Sequence, residues 1–478
     1  MKVSRAAARR LAPALALLLA ATVPGALPRS AATPSAGSAG DPGIGDPYFP
    51  LDGNGGIDVL HYDIRDRYDL RTRRLVGTTT LRVRATQPLS RFNLDLLLPV
   101  KRVLVDGARA RHTKPTKHEL RITPARPIAA GRTFRVVVRY GGRPGRLGYA
   151  GERSWLASRH EVVAMNQPHM APWWFPSNDH PLDKAGYDIR ITTGAARDVI
   201  ANGRRVDRTR HGRLATTHWR SREPMASYLA FFALGDFQVR RGRSGGIPWV
   251  LAVSRWLPKR WRVSSMQALR LSGPITVWLQ RELGRYPFGS TGGLVTSLYP
   301  GFALENQTRP TYPALDVRNR PVIVHELAHQ WFGDSVSVRG WRDIWLNEGL
   351  ATYLEWRYDE AHGGRSTRAW LHDTYDRYQG QSGFWSLRVD DPGPGHLFDA
   401  PIYDRGGMTI AALRQVIGAA DLRRLLRTWV SQHRFRNGTT QQFTDLAEQV
   451  SGRQLDGFFD AWLRAKQPPA RTAANGLD

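Results

Sequence analysis

The chain has 478 residues, 41 % of them hydrophobic and 10 % aromatic, which indicates a folded protein of two or three domains. It has no cysteine, so disulfides, zinc thiolates, iron–sulfur clusters and a cysteine nucleophile are excluded. The formal charge of +28 is typical of proteins that bind nucleic acid or anionic surfaces. The basic residues are nevertheless dispersed and mostly arginine. We therefore expect a solvated basic surface that binds no nucleic acid but can associate electrostatically with an acidic cell envelope.

Residues 1–29 are typical of a secretory signal peptide. Lys2 and Arg5 belong to a positively charged start, and residues 11–23 form a short apolar run. A membrane anchor is the alternative, but a spanning helix needs roughly 20 apolar residues and Pro13 interrupts this shorter run. The sequence therefore predicts a secreted, extracellular protein without a transmembrane segment. Removing residues 1–29, which carry five basic and no acidic residues, leaves a charge of +23.

The next segments predict a linker and then a β domain. Residues 30–46 are small and rich in proline and glycine, which indicates a flexible linker. Between residues 47 and 245 the pattern is that of strands, as in TTTLRVRAT at 78–86 and FRVVVRY at 134–140. Turn signals recur between these runs and helical periodicity is nearly absent. We expect an antiparallel β-sandwich over residues 47–245.

From residue 246 the pattern becomes helical, and we expect a second, mainly helical domain over 246–467 followed by a polar tail at 468–478. A long helical segment at 259–284 contains a predicted break at Gly273-Pro274. Thr439 with Gln442 forms a capping-box signal for one later helix. The further predicted helices are 321–332, 343–361, 406–417, 421–433, 440–450 and 455–465.

The stretch VIVHELAHQWFGDSVSVRGWRDIWLNEGLATYLEW, at 322–356, carries the chemistry. His325 and His329 are four residues apart and so share one face of a helix, where both imidazoles can reach one ion. Glu326 projects about 100° round from His325, off the ion but near its water. Zinc accepts two imidazoles and one carboxylate and keeps a fourth position open, and Glu348 is the candidate third ligand. Ordinary polar positions on two helices are the alternative, since HExxH alone gives false matches.

HELAHQWFGD followed by WLNEGLATYLEW resembles the aminopeptidase N family of zinc metallopeptidases, which are gluzincins. Residues 53–69 and 167–185 are similar to stretches that the family carries in the same order. The resemblance implies an N-terminal β domain followed by a thermolysin-like α/β catalytic domain. It also implies one zinc per chain, bound by His325, His329 and Glu348, with Glu326 as general base.

The family's exopeptidase motif, Gly-x-Met-Glu-Asn, corresponds to FALEN at 302–306, which implies that Glu305 binds the substrate amine. Phe302 replaces the glycine and Leu304 the methionine, so the shape of the first pocket is expected to differ. Gln167 matches a position that helps to hold the amine. A solvated loop acid is the alternative for Glu305, although its place beside an apolar strand favours an active-site edge strand.

The family's transition-state tyrosine, in a Tyr-x-Lys-Gly motif, corresponds to Tyr403, with Arg405 in place of the lysine. A core tyrosine is the alternative. Glu355 lies seven residues after Glu348, on the same helix face, where it can orient a zinc histidine.

These features predict a secreted zinc aminopeptidase that acts on peptides with a free N-terminus. Full-length family members carry a large helical C-terminal domain that closes over the active site. Because this chain stops soon after the catalytic helices, we expect a more open cleft. A zinc endopeptidase with such a cleft is the nearer alternative. A catalytically silent adhesion module is the other, and it would have no need of Glu326.

Overall fold

The first half of the chain forms strands because apolar and polar residues alternate along it. In the strand at Arg74–Ala85 every second side chain is buried, including Leu81, Val83 and Ala85. The computed structural model describes residues 37–478, so the predicted signal peptide lies outside the described residues. Sixteen strands lie between residues 37 and 235: β1 Ser38–Ala39, β2 Ile57–Asp69, β3 Arg74–Ala85, β4 Leu89–Asp95, β5 Val100–Val105, β6 Ala108–Arg109, β7 Arg111–Thr113, β8 Glu119–Thr123, β9 Thr133–Gly142, β10 Trp155–Ala157, β11 Val162–Ala164, β12 Lys184–Gly194, β13 Asp198–Ala201, β14 Arg204–His211, β15 Leu214–Ala226 and β16 Phe232–Gly235.

These strands form one large sheet and two smaller ones. The large sheet has eight strands in the order β14-β15-β12-β2-β3-β9-β5-β6, and the smaller sheets run β1-β4-β8-β7 and β10-β11-β16-β13. Phe92 of β4 contacts Phe134 of β9, and Trp155 of β10 lies near Tyr68 of β2, so both small sheets pack on the large one. The N-terminal half is therefore layered as predicted. The pairing is not wholly antiparallel, because β2–β12 and β1–β4 are parallel.

The predicted domain boundary between residues 245 and 246 needs correction. It lies in the turn of a hairpin made by β17 Phe237–Ser244 and β18 Ile247–Ser254. Strand β18 pairs in parallel with β19 Thr291–Val295, which in turn pairs with β20 Thr311–Tyr312. The hairpin thus belongs to the sheet of the second half. Alternation predicts a strand but not its partner, which is why the sequence pattern placed the boundary too late.

The second half is mainly helical, as predicted, with two further short strands, β21 Ser337–Val338 and β22 Asn437–Gly438. The helices are α1 Lys259–Leu269, α2 Ser272–Leu283, α3 Arg320–Ala328, α4 Trp345–Ala361, α5 Thr367–Tyr378, α6 Ser382–Ser386, α7 Gly406–Ile417, α8 Ala419–Gln432, α9 Thr440–Ser451 and α10 Asp456–Phe459. None of these helices is long and apolar enough to cross a membrane.

The helix boundaries follow the predicted capping signals closely. Thr439 accepts a hydrogen bond from the Gln442 backbone, and the Gln442 side chain accepts one from the Thr439 backbone, which is the capping box. The predicted break at Gly273-Pro274 falls earlier, between Leu269 and Ser272, and leaves Pro274 in the first turn of α2, where a missing N–H costs little. Helices α5 and α6 were not predicted.

The described part of the predicted linker and the predicted tail are both packed against the fold. Ser38–Ala39 pairs with β4, and the buried Asp46 carboxylate accepts hydrogen bonds from the Trp341 backbone and from His180. At the other end the Tyr375 hydroxyl donates to the Pro469 carbonyl. Backbone hydrogen bonds and a few buried side chains fix segments whose composition alone indicates mobility.

Two glycines set the distance between α4 and α7. A Cβ added at Gly349 would lie 2.7 Å from the Cα of Gly406, and one added at Gly406 would lie 2.8 Å from the Cα of Gly349. Real Cβ atoms do not approach backbone so closely, so only glycine permits this crossing. The close approach brings the first turns of α4 next to the segment that precedes α7.

We expect Gly349→Ala to lower the free energy of unfolding by about 1–3 kcal/mol, because the two helix backbones must move apart. Thermal unfolding measures the effect. Gly457→Ala is the matched control, since it also replaces a helical glycine but adds a Cβ with nothing within 4 Å. That control should be neutral or slightly stabilising. Equal melting temperatures for the two variants would contradict the proposed helix contact.

Candidate active site

Helices α3 and α4 bring three side chains to one point. His325 lies in α3, His329 directly follows its end, and Glu348 lies in the first turn of α4. All three are buried. The Nε2 atoms of His325 and His329 are 3.2 and 3.3 Å from the same Glu348 oxygen, Oε2. The helix spacing and the return of the second helix thus produce the cluster that the sequence indicates.

This cluster fits a tetrahedral zinc ion. Zinc binds nitrogen and oxygen ligands at about 2.0–2.2 Å, so two ligand atoms at tetrahedral angles lie about 3.3–3.5 Å apart. The observed separations of 3.2 and 3.3 Å between the imidazoles and Glu348 are close to this value. Two imidazoles and one carboxylate are also the ligand types of catalytic zinc sites, which leave the fourth position to water or substrate.

The outer nitrogens of both imidazoles are held as well. Glu355 Oε1 lies 2.7 Å from His325 Nδ1, and the Phe332 carbonyl oxygen lies 3.0 Å from His329 Nδ1. A proton on each Nδ1 satisfies these acceptors and leaves each Nε2 lone pair directed at the ion position. The structure therefore places Glu355 where the sequence analysis expects an orienting carboxylate.

The cluster lines one side of a cavity of about 280 Å³. Its lining residues are Gln167, Phe302, Ala303, Glu305, Val322, His325, Glu326, His329, Glu348, Glu355 and Tyr403. All seven residues that the sequence analysis assigned to catalysis, metal binding or substrate binding thus face one space. The Tyr403 ring stacks near His325, with 5.9 Å between ring centroids.

Tyr403 lies in a π-helical turn, Pro401–Arg405, that leads into α7. The buried Arg405 guanidinium fixes this turn by donating to five backbone carbonyls, those of Trp385, Leu387, Ala461, Trp462 and Ala465. A lysine ammonium has three donors and could not satisfy all five carbonyls. Arg405 therefore stabilises the backbone conformation of the turn that contains Tyr403.

Glu305 is held from two sides. Gln167 Nε2 donates to Glu305 Oε1 at 3.1 Å, and Gln330 Nε2 donates to the Glu305 backbone carbonyl at 3.0 Å. The neighbouring Leu304 makes a single antiparallel bridge with Thr311, so the segment is a one-residue bridge instead of the predicted edge strand. Phe302 lines the cavity and is 42 % exposed, so part of this side chain faces solvent.

Burial and mutual charge shift the titration of these groups. Burial raises the pKa of Glu326 to about 8, against the opposing effect of the two histidines. It also raises the pKa of Glu305. Although burial acts in the same direction on Glu348, the His329 and His325 imidazoles hold the pKa of that carboxyl below its usual range. Glu348 is therefore the carboxylate that the histidines keep ionised.

Two residues near the site were missed by the sequence analysis. Gln330 links the Glu305 carbonyl to the Thr308 backbone N–H, and Tyr228 is a buried tyrosine whose pKa is raised by burial and by Glu305. Gln330 directly follows His329, so its place beside the metal motif was a usable signal. Tyr228 lies about 100 residues earlier in the chain, and nothing in its local sequence indicates the contact.

Two family models match the chain. The one described as "Peptidase M1 N-terminal domain" covers residues 59–229, and the one described as "Peptidase family M1 domain" covers residues 293–462. Together they cover more than half of the chain and both of its halves.

Among curated relatives, aminopeptidase N of Lactococcus lactis is 26 % identical over 342 residues, which is 64 % of this chain and 38 % of that protein. The probable aminopeptidase 2 of Sulfurisphaera tokodaii is 24 % identical over 341 residues, 63 % of this chain and 41 % of that protein. The chain thus spans about two fifths of the length of these relatives.

Solved structures extend the similarity over almost the whole described fold. A mutant of the M1 zinc metallopeptidase from Deinococcus radiodurans, bound to a Tyr-Ser-Ala substrate, superposes with a TM-score of 0.82 at 29 % identity, covering 90 % of this chain and 99 % of that one. A mutant two-domain M1 zinc metallopeptidase bound to L-tryptophan gives the same TM-score, identity and coverage. With both family models matched in order and the zinc ligand set assembled, this chain belongs to peptidase family M1.

Proposed function

We propose that the protein is a zinc-dependent aminopeptidase that removes N-terminal residues from peptides. The observation that carries the proposal is the position of Glu305, which lines the same cavity as the zinc ligands and is held there by Gln167. A buried carboxylate beside the metal site offers a partner for a substrate ammonium. That pairing would fix cleavage at the first peptide bond.

Zinc, when bound, supplies a Lewis acid that polarises the scissile carbonyl and makes water a nucleophile at neutral pH. His325, His329 and Glu348 hold it, and Glu355 fixes the orientation of His325. Glu326 accepts the proton of the attacking water and passes it to the leaving amine.

Tyr403 and the amine site complete the mechanism. The Tyr403 hydroxyl donates a hydrogen bond to the oxyanion that develops on the carbonyl carbon. Burial and the neighbouring carboxylates raise the pKa of Tyr403, so its proton stays in place to be donated. Glu305 and Gln167, which both line the cavity, hold the α-ammonium.

The comparisons support this assignment. The relatives are named aminopeptidases, and the related solved structures carry the tripeptide Tyr-Ser-Ala, L-tryptophan or L-arginine. Single amino acids are the products that an aminopeptidase releases. A zinc endopeptidase is the second candidate, because the cavity opens to solvent at Phe302 and internal peptide segments could enter there. A silent adhesion module gains no support, since it needs neither Glu326 nor Tyr403.

Export and surface association are part of the proposal. Residues 1–29 have the pattern of a signal peptide, which supports secretion. All eight residues of the edge strand β14 are exposed, and four of them are arginines. This strand, with a charge of +23 for the chain after residue 29, supports electrostatic association with acidic cell-envelope surfaces.

Glu326→Gln should lose nearly all turnover and keep its zinc, because the change removes the base and spares the ligands. Metal analysis and initial rates on aminoacyl fluorogenic substrates test both halves of this expectation. Wild-type enzyme should contain one zinc per chain, lose activity to a chelator and regain it with zinc. Turnover near the wild-type rate in Glu326→Gln would exclude the assigned base.

Tyr403→Phe should lower kcat by roughly 10²–10³, as expected for the loss of one oxyanion donor. Tyr378→Phe is the matched control, because the Tyr378 hydroxyl donates to the adjacent Asp404 at 2.7 Å and does not line the cavity. That control should stay within about twofold of the wild-type rate. If the two variants behave alike, the oxyanion donor is a different group.

Glu305→Ala tests the exopeptidase assignment. Removing one partner of a buried charge pair costs ~2–5 kcal/mol, so kcat/KM on free-amine substrates should fall by a factor of roughly 30 to several thousand. Zinc content should not change. N-acetylation of the substrate should cost the wild-type enzyme a comparable factor, because it removes the ammonium that Glu305 binds.

The two losses should not add, since each deletes the same interaction. Glu305→Ala should therefore cleave acetylated and free substrates at similar, low rates. Equal cleavage of acetylated and free peptides by the wild-type enzyme would instead favour the endopeptidase.

A further inference from the structure

One end of the large sheet collects arginine side chains. Strands β2, β9, β12 and β14 end there, and β3 and β15 begin there, because neighbouring strands alternate in direction apart from the parallel pair β2–β12. Two adjoining cavities of about 480 and 580 Å³ lie at this end and share Tyr68, Arg71 and Arg73. Seven arginines line the two cavities, and we call this set the basic strip: Arg67, Arg71, Arg73, Arg143, Arg146, Arg159 and Arg197.

The basic strip has little compensating negative charge. Asp69 is the single carboxylate among the residues that line the two cavities, so seven positive charges and one negative charge give +6. None of the seven arginines forms an ion pair within 4.0 Å with a residue in the range 37–478. Asp198, which follows Arg197, lines neither cavity and accepts a hydrogen bond from the Phe237 backbone. The guanidinium groups therefore face solvent with their charge largely uncompensated.

Asp69 serves the turn that presents part of the strip. Its Oδ1 accepts hydrogen bonds from the backbone N–H groups of Arg71 at 2.8 Å and Thr72 at 3.0 Å. The bond from Thr72, with that from Arg71 and the charges of Arg71 and Arg67, lowers the pKa of Asp69. The carboxylate thus fixes the β2–β3 turn in the conformation that holds Arg71 and Arg73 at the cavities.

The strip spans the width of the sheet. On the edge strand β14, the Arg208 guanidinium donates to the backbone carbonyls of Ala195 and Arg197, so it lies beside the larger cavity. On the other side, Arg143 and Arg146 follow β9. From β9 to β14 there are five strand spacings of about 4.8 Å, a length of roughly 24 Å. This length accommodates several consecutive anionic groups of a chain.

The wall shared by the two cavities contains an uncharged donor. Tyr68 is 1 % exposed, and its hydroxyl has no hydrogen-bond partner of normal geometry in residues 37–478. Burial raises the pKa of Tyr68 and the Trp155 indole acts against this, but an indole N–H can donate and cannot accept. The Tyr68 hydroxyl proton therefore remains without an acceptor from the chain, next to the arginines.

We propose that the basic strip binds a linear polymer that carries a phosphate in each repeat and no nucleobases. A tetrahedral phosphate presents oxygens in several directions, so guanidinium groups from different segments can donate to it together, whereas a planar carboxylate matches one arginine fork. The strip offers such convergence, because its arginines come from the end of β2, the β2–β3 turn, the loop after β9, the β10–β11 loop and the turn after β12.

The aromatic side chains at the strip favour a polymer without nucleobases. Proteins bind single-stranded nucleic acid by stacking its bases on accessible aromatic rings. Tyr68 and Trp155 are the aromatic residues that line the two cavities, and they are 1 % and 6 % exposed. Neither ring offers a face on which a base can stack. The strip therefore recognises the phosphates of a chain and has no platform for bases.

A polymer on the strip leaves the zinc cavity free. Strand β12 begins at Lys184, whose ammonium donates to the Asp334 carbonyl, five residues after His329. It ends at Gly194, which lines the larger cavity of the strip. Ten residue steps of about 3.3 Å place the two ends roughly 33 Å apart. The surface association proposed above needs only net charge, whereas this site needs specific arginines at the end of the sheet remote from the metal.

The test uses the full, zinc-loaded protein with free zinc buffered, because polyphosphate chelates metal ions. Short-chain inorganic polyphosphate with a fluorescent end label is the probe, and anisotropy measures its binding. Raising the salt concentration from about 50 to 200 mM should weaken binding roughly 100-fold, as expected for about five phosphate contacts. Zinc content and peptidase activity are measured on the same samples and should not change. A failure of the proposed peptidase function would therefore be recognised separately.

A triple variant of the strip, with Arg71→Gln, Arg146→Gln and Arg197→Gln, should weaken binding of polyphosphate at least tenfold, since it removes about three phosphate contacts. The matched control makes the same change in net charge at three exposed arginines of the catalytic half that form no ion pair in residues 37–478: Arg270→Gln, Arg285→Gln and Arg453→Gln. Charges so far from the strip are screened by salt, so the control should bind within about twofold of the wild type.

Absence of salt-sensitive binding by the wild type would overturn the proposal. Equal weakening in the two triple variants would reject the strip as a site and leave only association by net charge. Equal or tighter binding of polyglutamate, of oligothymidine or of phosphatidylglycerol vesicles at matched charge would reject the proposed polymer in favour of a carboxylate chain, nucleic acid or a membrane. Thermal unfolding checks that both variants fold. If the strip variant does not fold, the salt titration and the comparison of probes on the wild type still decide.

Discussion

One carboxylate oxygen, Glu348 Oε2, lies between two imidazoles, and the geometry of the catalytic half depends on this contact. The distances of 3.2 and 3.3 Å to His325 and His329 exist only if α4 folds back on α3. The glycine that follows Glu348 then allows the segment before α7 to approach α4 at backbone contact. Tyr403 lies in that segment. The candidate metal ligands and Tyr403, the proposed oxyanion donor, are therefore positioned by the same packing of helices and not by independent loops.

Much of this site could be predicted because its signals are local. The four-residue spacing of His325 and His329 defines one helix face, and Thr439 with Gln442 defines a helix start, without any knowledge of the rest of the fold. The same reasoning could not find Tyr228, because the site residue that it interacts with, Glu305, lies 77 residues later in the chain. It also assigned the β17–β18 hairpin to the wrong half. Alternation identifies a strand, but the choice of its neighbour depends on tertiary packing that sequence periodicity does not contain.

The departures from the family pattern at Phe302 and Arg405 have different consequences. Arg405 is fully buried, and its planar fork meets five carbonyls from two separate segments, a geometry that an ammonium cannot reproduce. The hydrogen bonds of arginine at position 405, where the family has lysine, therefore depend on the backbone conformation near Trp385 and Trp462. Phe302, in contrast, is partly exposed and leaves Glu305 anchored by Gln167 and Gln330. The first change affects the backbone that holds Tyr403, and the second lies among the residues that line the cavity.

Buried carboxylates occur in two different settings in this fold, either singly or in groups. Asp66 and Glu161 are buried singly, and hydroxyl or indole donors satisfy their oxygens. Carboxylates that are buried as a group also repel one another, because ionising one of them raises the free energy needed to ionise the next. Around Glu348 the histidines and a metal ion compensate that cost. Asp95, Glu119 and Asp179 are buried in the β-rich half, where burial raises the pKa of all three carboxyls although Arg121 acts against this on Glu119 and His169 acts against it on Asp179. In this group protonation, which the raised pKa values favour, lowers the repulsion that the histidines and the metal ion lower around Glu348.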